Sequence, residues 1–399
     1  MKRDNLTHAV RERLQRLPSP YQAHYGVVPL PPPEGHIPLN GIDPRLRAAH
    51  TALARIDTLA AELQDPYLIS RILPRREAVS SSSIEGTNST LDELLSIEET
   101  GDEKSNAAAV QVRDYALALD DFVPRARAQK HKIFTAALVQ DLHRTVMAGD
   151  PHYRDKPGQF RQNVVWIGGG NIAYSTYNPA PPGEIAACLE QTMDYMRSEG
   201  MQQQTQSLIA RMAITHSHFE AVHPFLDGNG RVGRLMLPLM MAAEGHMPLY
   251  LSPYIEKYKT NYYDSLRAAQ QRLEWHEPTG FLADAIVGTV DELLVTRQAL
   301  TELSNSWRNR RKFRQGSAAQ KALDILPHYP VLTIKRLADI LAVSIPAATQ
   351  AANQLVEGGI LNERTGYARN RVFSSPEALL IINRPFGDAP VVPDNTQDL

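Results

Sequence analysis

The sequence His223-Pro-Phe-Leu-Asp227-Gly-Asn-Gly-Arg231-Val-Gly-Arg234 joins two helical patterns through a short glycine-containing loop. Upstream, apolar residues recur at three- and four-residue spacing over 209–222, which predicts a buried helix. Pro224 cannot continue that helix and disfavours the α conformation at the residue before it, so His223 is expected at the helix end. A second helix is predicted over 231–244. The pattern therefore predicts two core helices with a histidine at their junction.

The loop carries the residue types of a phosphate site. Consecutive backbone N–H groups at a helix N-terminus bind anions, helped by the helix dipole. Arg231 and Arg234 are three residues apart on the first helical turn, and guanidinium groups match phosphate oxygens. Asp227 supplies a hard oxygen ligand, and Mg²⁺ commonly takes one or two carboxylates plus substrate phosphates. With His223, these residues predict a site for nucleotide phosphoryl or nucleotidyl transfer.

The same stretch resembles the signature HPFx(D/E)GNGRxxR of the Fic (filamentation induced by cAMP) family and matches it at every fixed position. Members of that family mostly move AMP from ATP to a Ser, Thr or Tyr hydroxyl of a protein and release pyrophosphate. The resemblance implies that His223 is the general base, that Asp227 holds Mg²⁺ and that Arg234 binds the γ-phosphate. It also implies ATP contacts from Gly228, Asn229, Gly230, Arg231, Val232 and Gly233, and an adenine pocket lined by Tyr262 or, as second choice, Tyr263.

A second motif lies upstream, at Ser81-Ser82-Ser83-Ile84-Glu85-Gly86. It resembles the inhibitory motif (S/T)xxxE(G/N) of the family, with Ser81, Glu85 and Gly86 at the fixed places. The resemblance implies that Glu85 pairs with Arg234 and occupies the place of the γ-phosphate. One chain would then contain both the enzyme and its inhibitor, with the inhibitor N-terminal to the core.

Residues 158–182 contain two short β-type runs around Gly168-Gly169-Gly170, which predicts a β-hairpin with a glycine turn. This segment resembles the Fic flap, which holds the target segment by strand-type backbone pairing. Such pairing tolerates many sequences, so it does not reveal the target.

The fold class expected for the whole chain is mostly α: a Fic-type helical core with a small β-hairpin flap, followed by a C-terminal winged helix-turn-helix domain. The boundaries follow from changes in periodicity and composition: an N-terminal helical region over 1–125 with the inhibitory motif at 81–86, a catalytic core over 126–304 (flap 158–182, loop 223–234, adenine side 250–263), a basic linker over 305–316, the winged helix over 317–384 and a flexible tail over 385–399.

The C-terminal region has a charge balance different from the rest of the chain. Residues 302–384 hold 12 Lys or Arg against 6 Asp or Glu, a net charge of +6. Winged helices often bind DNA, yet the expected recognition helix over 345–357 has no Lys or Arg, and the basic residues lie in the linker and in the wing, at Arg364, Arg369 and Arg371. DNA binding through this domain and a protein-contact or dimerisation role both remain open.

Composition limits the function classes. The chain has 399 residues, a net charge of −2 and a single cysteine, Cys188. These values argue against a globally basic nucleic-acid coat, an internal disulfide framework and a cysteine-rich zinc site. The start of the chain has no apolar targeting pattern, and no apolar run is long enough to span a bilayer, so a soluble cytoplasmic protein is expected.

The function expected from these observations is a self-inhibited protein adenylyltransferase that uses ATP and Mg²⁺. Its expected partners are ATP, a protein with a hydroxyl side chain, and the chain itself as a target, with a homodimer as a further possibility. One alternative is removal of AMP from proteins, with Glu85 activating a water molecule that attacks the phosphodiester. Another is a DNA-binding regulator whose core senses nucleotide.

Overall fold

The computed structural model describes residues 1–39, 41–63, 71–101, 106–364 and 371–393. Helices dominate the part preceding the C-terminal domain: α1 (His8–Arg11), α2 (Asp43–Leu63), α3 (Ile72–Ile84), α4 (Leu91–Thr100), α5 (Ala107–Gln129), α6 (Ala136–Met147), α7 (Ile185–Arg197), α8 (Gln202–Thr205), α9 (Leu208–Val222), α10 (Asn229–Ala243), α11 (Ser252–Lys257), α12 (Lys259–Arg267) and α13 (His276–Arg310). A short antiparallel pair, β1 (Leu14–Arg16) and β2 (Tyr25–Val27), lies between α1 and α2. The mostly α fold class predicted from the sequence is confirmed.

Helices α9 and α10 form the centre of the core. Every residue of α9 is buried, and so is every residue of α10 except Gly230. A helix that is buried on all sides lies inside a protein, not at its surface. Helices α5 and α6 pack on α10, while α7 and α13 pack on α9. The loop between α9 and α10 is therefore held from several sides.

The C-terminal domain consists of α14 (Ala318–Ile325), β3 (Val331–Thr333), α15 (Ile334–Leu341), α16 (Ile345–Glu357), β4 (Asn362–Glu363), β5 (Val372–Ser374) and α17 (Pro376–Ile382). Its strands form one antiparallel sheet in the order β3-β5-β4. Three helices followed by two strands were predicted here, whereas β3 and α17 were not, and the winged helix-turn-helix assignment stays a prediction. The sequence also predicts a turn at Gly366; this position and Arg369 lie outside the described residues.

The stretch over 305–316, which the sequence predicts to be a basic linker or a helix extension, begins as helix, because α13 continues to Arg310. The helix continues because Trp307 is fully buried and its indole Nε1 donates to a carboxylate oxygen of Glu377 at 2.5 Å. Arg310 pairs with the same carboxylate at 2.7 Å. The polar composition of this stretch concealed one buried aromatic anchor. In the N-terminal region, the sequence predicts a helix break at Asp65-Pro66 and a new helix from Leu68. Both positions lie outside the described residues.

The predicted hairpin over 158–182 is reduced to a single antiparallel bridge between Ile167 and Tyr177. A short 3₁₀ helix, Ile172–Tyr174, follows the glycine turn. The returning arm pairs elsewhere: Val27 N–H of β2 donates to Asn178 O at 3.0 Å, and the Asn178 amide donates to Tyr25 O at 2.9 Å. The β1–β2 pair, which was not predicted, therefore binds Asn178, the residue directly after the bridge at Tyr177.

Candidate active site

His223 lies at the end of α9, as the sequence predicted. It is the C-cap residue, with left-handed backbone angles of φ 50° and ψ 64°, and its N–H donates to Phe219 O at 2.9 Å. This conformation is uncommon for a residue other than glycine and needs support from its surroundings. The side chain is 21% exposed, so the imidazole is accessible from the loop.

Arg161 provides that support, and sequence reasoning missed it. The side chain is 1% exposed, and its guanidinium donates to His223 O at 2.7 Å and to Val222 O at 3.3 Å. It also donates to Ala180 O at 2.6 Å and to Asn163 O at 2.9 Å. Burial lowers the pKa of Arg161 to about 10. Arg161 thus satisfies terminal carbonyls of α9 and ties the flap segment to the loop.

The Asn229 side chain holds the loop together. Its amide oxygen accepts from Phe225 N–H and its amide nitrogen donates to Phe225 O, both at 2.9 Å. The residue is 2% exposed. Because the side chain is used within the loop, a phosphate contact from Asn229 is left to its backbone. His143 completes the support by stacking on the Phe225 ring with centroids 3.7 Å apart.

His143 also fixes the backbone before the glycine turn. Its Nδ1 accepts from Gly158 N–H at 2.8 Å, so the ring proton is on Nε2, which lies 3.1 Å from Asp227 O and donates to it. Burial lowers the pKa of His143 to about 4, which favours the neutral ring. The Asp227 side chain remains exposed, with its Oδ1 accepting from Gly228 N–H at 2.6 Å.

A metal ion at this site would have Asp227 as its protein ligand. Within the described ranges, no group of three or more His, Cys, Asp or Glu residues is arranged to hold a metal. One exposed carboxylate beside an anion cradle fits Mg²⁺ that takes its other ligands from phosphates and water. The residues present therefore fit a nucleotide-bound Mg²⁺ and not a caged one.

Arg231 is a buried cation whose donors are incompletely used. The residue is 2% exposed, and its Nη2 contacts Met147 Sδ at 3.0 Å. Among the described residues, its Nε and Nη1 have no hydrogen-bond partner. Leaving buried donors of a charged group unmet is costly, so this geometry favours binding of an anion here.

Arg234 is paired with residues of the 81–86 motif. It is 1% exposed; Nη2 donates to Glu85 Oε1 at 2.7 Å, and the Ser81 hydroxyl and carbonyl oxygens each accept from it at 2.9 Å. Burial acts to lower the pKa of Arg234, but Glu85 and neighbouring tyrosines raise it above its usual value. Gly86, with φ 89°, follows α3 and turns the chain away.

The Glu85 carboxylate lies directly against the first turn of α10. A Cβ atom built on Gly230 would collide with Glu85 Oε1 and approach Arg234 Nη1 at 2.9 Å. Glycine at position 230 is therefore required for an oxygen anion to reach this point. The protein's own carboxylate occupies the place that the sequence assigned to a phosphate.

Two segments of the chain match known family models. Residues 44–121 match the model described as Fic/DOC family N-terminal, and residues 133–241 match the Fic/DOC family model. Over these two segments the chain is similar to the N-terminal and central parts of the Fic/DOC family. Its Fic match includes the flap segment, all of α9 and most of α10.

Curated relatives agree with this assignment over part of their length. A "Protein adenylyltransferase Fic" of Drosophila willistoni is 30% identical over 217 residues, which are 53% of this chain and 40% of that protein. The protein of the same name from Drosophila melanogaster is 29% identical over 215 residues, with the same shares. The chain thus spans about two fifths of the length of these relatives.

A solved structure shows the same fold. The crystal structure of a Fic family protein from Desulfovibrio desulfuricans G20 has a TM-score of 0.54 and 18% sequence identity. The similarity covers 87% of this chain and 98% of that one. At this identity the likeness concerns the fold alone.

The remaining predicted residues of the Fic core divide into buried and accessible ones. Val232 is fully buried, and Gly233 lies against the side chains of Glu220 and His216, so both are helix-packing positions and do not face a nucleotide. Tyr262 is 2% exposed, and its hydroxyl is 2.7 Å from His216 Nε2. Tyr263 is 38% exposed. The sequence favoured Tyr262 over Tyr263 for an adenine contact. Because Tyr263 is the more exposed of the two, it is the better candidate.

The cations of the C-terminal domain are largely paired with the protein's own acids. Arg364 pairs with Asp92 of α4, and Arg371 pairs with Glu363 within the domain. Arg336 Nε is 3.1 Å from Glu99 Oε1 of α4. These pairs leave fewer cations for a DNA backbone than the sequence count implied. Among the described residues, no helix is both long enough and apolar enough to cross a membrane.

Proposed function

We propose that this chain is a self-inhibited protein adenylyltransferase. It transfers AMP from ATP to a Ser, Thr or Tyr hydroxyl of a protein, including its own, and releases pyrophosphate. The observation that carries the proposal is the α9–α10 junction, where an accessible histidine stands beside an anion cradle that the protein's own Glu85 occupies. The names of the curated relatives support ATP and a protein as the two substrates.

In the proposed reaction, His223 accepts the proton of the target hydroxyl. The hydroxyl oxygen then forms a bond to the α-phosphorus, and the bond from that phosphorus to the β-phosphate oxygen breaks, so that its electron pair leaves with pyrophosphate. Histidine suits this role because its ordinary pKa leaves much of it neutral near pH 7. The flap segment holds the target chain beside His223, to which Arg161 ties it.

The phosphates of ATP bind the first turn of α10. Backbone N–H groups of 228–230 and the buried Arg231 offer donors, and Arg234 binds the γ-phosphate once Glu85 has left. A Mg²⁺ ion on Asp227 would neutralise part of the phosphate charge. These contacts place the α-phosphorus for in-line attack, which accounts for much of the rate in phosphoryl and nucleotidyl transfer.

Self-inhibition follows from one shared guanidinium. Glu85 and a γ-phosphate are both anions, and Arg234 can pair fully with only one of them. With Glu85 in place, ATP binds without its γ-phosphate held, and the α-phosphorus is not positioned for the incoming hydroxyl. This argument concerns productive binding and does not require that ATP be excluded.

The test uses the full chain with Glu85→Gly, incubated with a cell lysate and with ATP labelled either at the α- or at the γ-phosphate. AMP transfer predicts protein labelling from α-labelled ATP alone, whereas phosphoryl transfer labels from γ-labelled ATP. His223→Ala in the same background is the control, and it should bind ATP without transferring the label. Labelling from γ-labelled ATP, or undiminished labelling by the His223→Ala protein, would contradict the proposal. A pre-AMPylated target incubated with the unmodified chain, which retains Glu85, tests the alternative of AMP removal by hydrolysis.

A further inference from the structure

Glu220 is a buried acid one turn before His223 that the mechanism above leaves unused. Its side chain is 8% exposed, and its Oε2 lies 3.6 Å from His223 Nδ1. Among the described residues, Glu220 Oε1 and His223 Nδ1 have no hydrogen-bond partner. A buried carboxylate that faces an unpartnered ring nitrogen is the arrangement that orients catalytic histidines elsewhere.

The neighbouring helix is shaped to admit this carboxylate. A Cβ atom built on Gly233 of α10 would lie 2.5 Å from Glu220 Oε1 and 3.0 Å from His216 Cε1. Glycine at this position therefore lets Glu220 lie between the two helices. His216 is fixed on its other side by the Tyr262 hydroxyl at 2.7 Å from Nε2.

Electrostatics keep this buried acid ionised. Burial acts to raise the pKa of Glu220, but His223, His216 and Arg234 together hold it below its usual value. An ionised carboxylate at 3.6 Å has room to shorten its contact when the imidazole becomes charged, and catalytic hydrogen bonds are often long before substrate binds.

We propose that Glu220 is a positioning residue for His223. It accepts the Nδ1–H of the imidazole, which leaves Nε2, on the opposite side of the ring, to take the proton of the target hydroxyl. When that proton arrives, the carboxylate stabilises the imidazolium. The proton moves from hydroxyl oxygen to Nε2 while Nδ1–H stays in place, and the bond changes at phosphorus are those given above. This inference rests on the proposed function.

The main variant is Glu220→Gln in the Glu85→Gly background, with AMP transfer as the readout. The amide keeps the volume but cannot stabilise an imidazolium. We expect kcat to fall about 10- to 100-fold, as for other supporting carboxylates, with KM for ATP changed less than about threefold. Gly233→Ala should reproduce this loss, because its Cβ displaces the carboxylate. Glu244→Gln is the control: Glu244 is a partly buried acid outside the site, paired with Arg211, and its variant should keep kcat.

A second readout does not depend on catalysis. Histidine labelled with ¹⁵N, with the His223 signals assigned by their loss in His223→Ala, should show the Nδ1–H form in the parent protein and a mixture of tautomers after Glu220→Gln. An unchanged kcat and an unchanged tautomer in a folded Glu220→Gln protein overturn the inference. If the parent transfers no AMP, the proposed function fails instead, and the tautomer alone decides whether Glu220 orients His223.

A separate observation concerns α4, which lies between the inhibitory helix and the C-terminal domain. Glu99 of α4 has a side chain only 2% exposed, and its oxygens lie 3.5 Å from Arg71 and 3.1 Å from Arg336. Arg71 is the residue just before α3, the helix that presents Ser81 and Glu85. Glu98 pairs with Arg75 of α3 at 2.8 Å.

The C-terminal domain also contacts α4 through Thr333 and Arg364. Thr333 N–H donates to Glu99 Oε2 at 3.3 Å. Arg364 donates to Ser96 Oγ at 3.0 Å and pairs with Asp92. Because α4 carries ion pairs on both sides, the C-terminal domain is linked to α3 through one acidic helix.

We infer that the C-terminal domain acts as a clamp that keeps α3 and its Glu85 in the inhibitory position. Loss of the clamp loosens α4 and α3 and frees Arg234 for ATP. This second inference also rests on the proposed function, but its observations are independent of Glu220.

The test compares auto-AMPylation of the full chain with Arg336→Ala plus Arg364→Ala against Arg371→Ala. The control removes an arginine of the same domain whose partner, Glu363, lies inside that domain. Because partly exposed ion pairs contribute modestly, we expect an increase of about two- to fivefold for the double variant and none for the control. Adding Glu85→Gly should abolish the difference. An unchanged rate in the double variant, while Glu85→Gly activates, overturns the clamp and leaves the proposed function intact.

Discussion

Replacing Glu85 by glycine should increase AMP transfer by about 10- to 100-fold. The variant removes the carboxylate at 2.7 Å from Arg234 and leaves the Ser81 oxygens in place. A hydrogen bond involving a charged group contributes about 1.5–3 kcal/mol, and each 1.4 kcal/mol changes an equilibrium about tenfold. The guanidinium that is 1% exposed in the resting protein then becomes available to a γ-phosphate.

The same variant should lose stability without ligand and regain it with ATP. Removing the carboxylate partner of the buried Arg234 guanidinium leaves an uncompensated cation, so the melting temperature of the free protein should fall. ATP then supplies the missing anion, and a ligand that binds only the folded state stabilises it by mass action. The rise in melting temperature caused by ATP should therefore be larger for Glu85→Gly than for the unmodified chain.

Three further variants complete the assay. Glu85→Asp should activate partially because the shorter side chain reaches Arg234 poorly, and Glu85→Gln should activate because a neutral amide pairs weakly with arginine. Asp141→Ala is the charge-matched control, since Asp141 pairs only locally with Arg144 on α6 and is 43% exposed. Equal auto-AMPylation rates for Glu85→Gly and the unmodified chain, in folded proteins with equal ATP-induced stabilisation, would refute self-inhibition through Arg234.

Other predictions follow from single contacts. Arg234→Ala should remove activity even in the Glu85→Gly background, and a double variant as active as the single one would limit Arg234 to an inhibitory role. Asn229→Ala should lower kcat at least tenfold and reduce thermal stability, because both hydrogen bonds to Phe225 are lost; a normal kcat with an altered KM would contradict this. His218, bonded to Thr192, has a pKa lowered to about 4 by burial against 6.5 in the unfolded chain. Between these two pKa values the unfolded state binds more protons than the folded state. The contribution of His218 to the free energy of unfolding, at most about 3 kcal/mol, is therefore lost as pH falls from 6.5 towards 4. Chemical unfolding of His218→Gln should show a weaker loss over that range.

The helix ends at the α9–α10 junction could be predicted from the sequence because the features that determine them lie close together along the chain. Helical periodicity, a proline after His223 and positive-φ residues in the loop each act within a few positions. The motif at 81–86 was also recognisable, since it is contiguous. Its contact with Arg234, 149 residues away, came from family resemblance and not from the residues themselves.

Long-range contacts account for what was missed. Arg161 lies in a β-type run, and nothing in that run shows that its guanidinium will reach the end of α9, 62 residues later. The hairpin prediction was wrong in extent because β2, from the other end of the chain, competes for Asn178. Tyr262 and Tyr263 are adjacent in sequence, and only the packing of α12 buries one and exposes the other.

Under the proposed function, the position of Arg234 gives a physical reason for placing an inhibitor and an enzyme in one chain. A guanidinium that is 1% exposed is costly to bury unless an anion accompanies it, and the geometry at Gly230 admits one oxygen anion against the helix turn. Without Glu85, a ligand-free chain would hold this cation with the Ser81 oxygens as its remaining hydrogen-bond partners among the described residues. In this structure Glu85 supplies the missing charge, and in the proposed reaction a γ-phosphate would supply it. The contact that we propose to lower activity should therefore also stabilise the resting fold, so any variant or partner that releases Glu85 should lower thermal stability while it raises the rate.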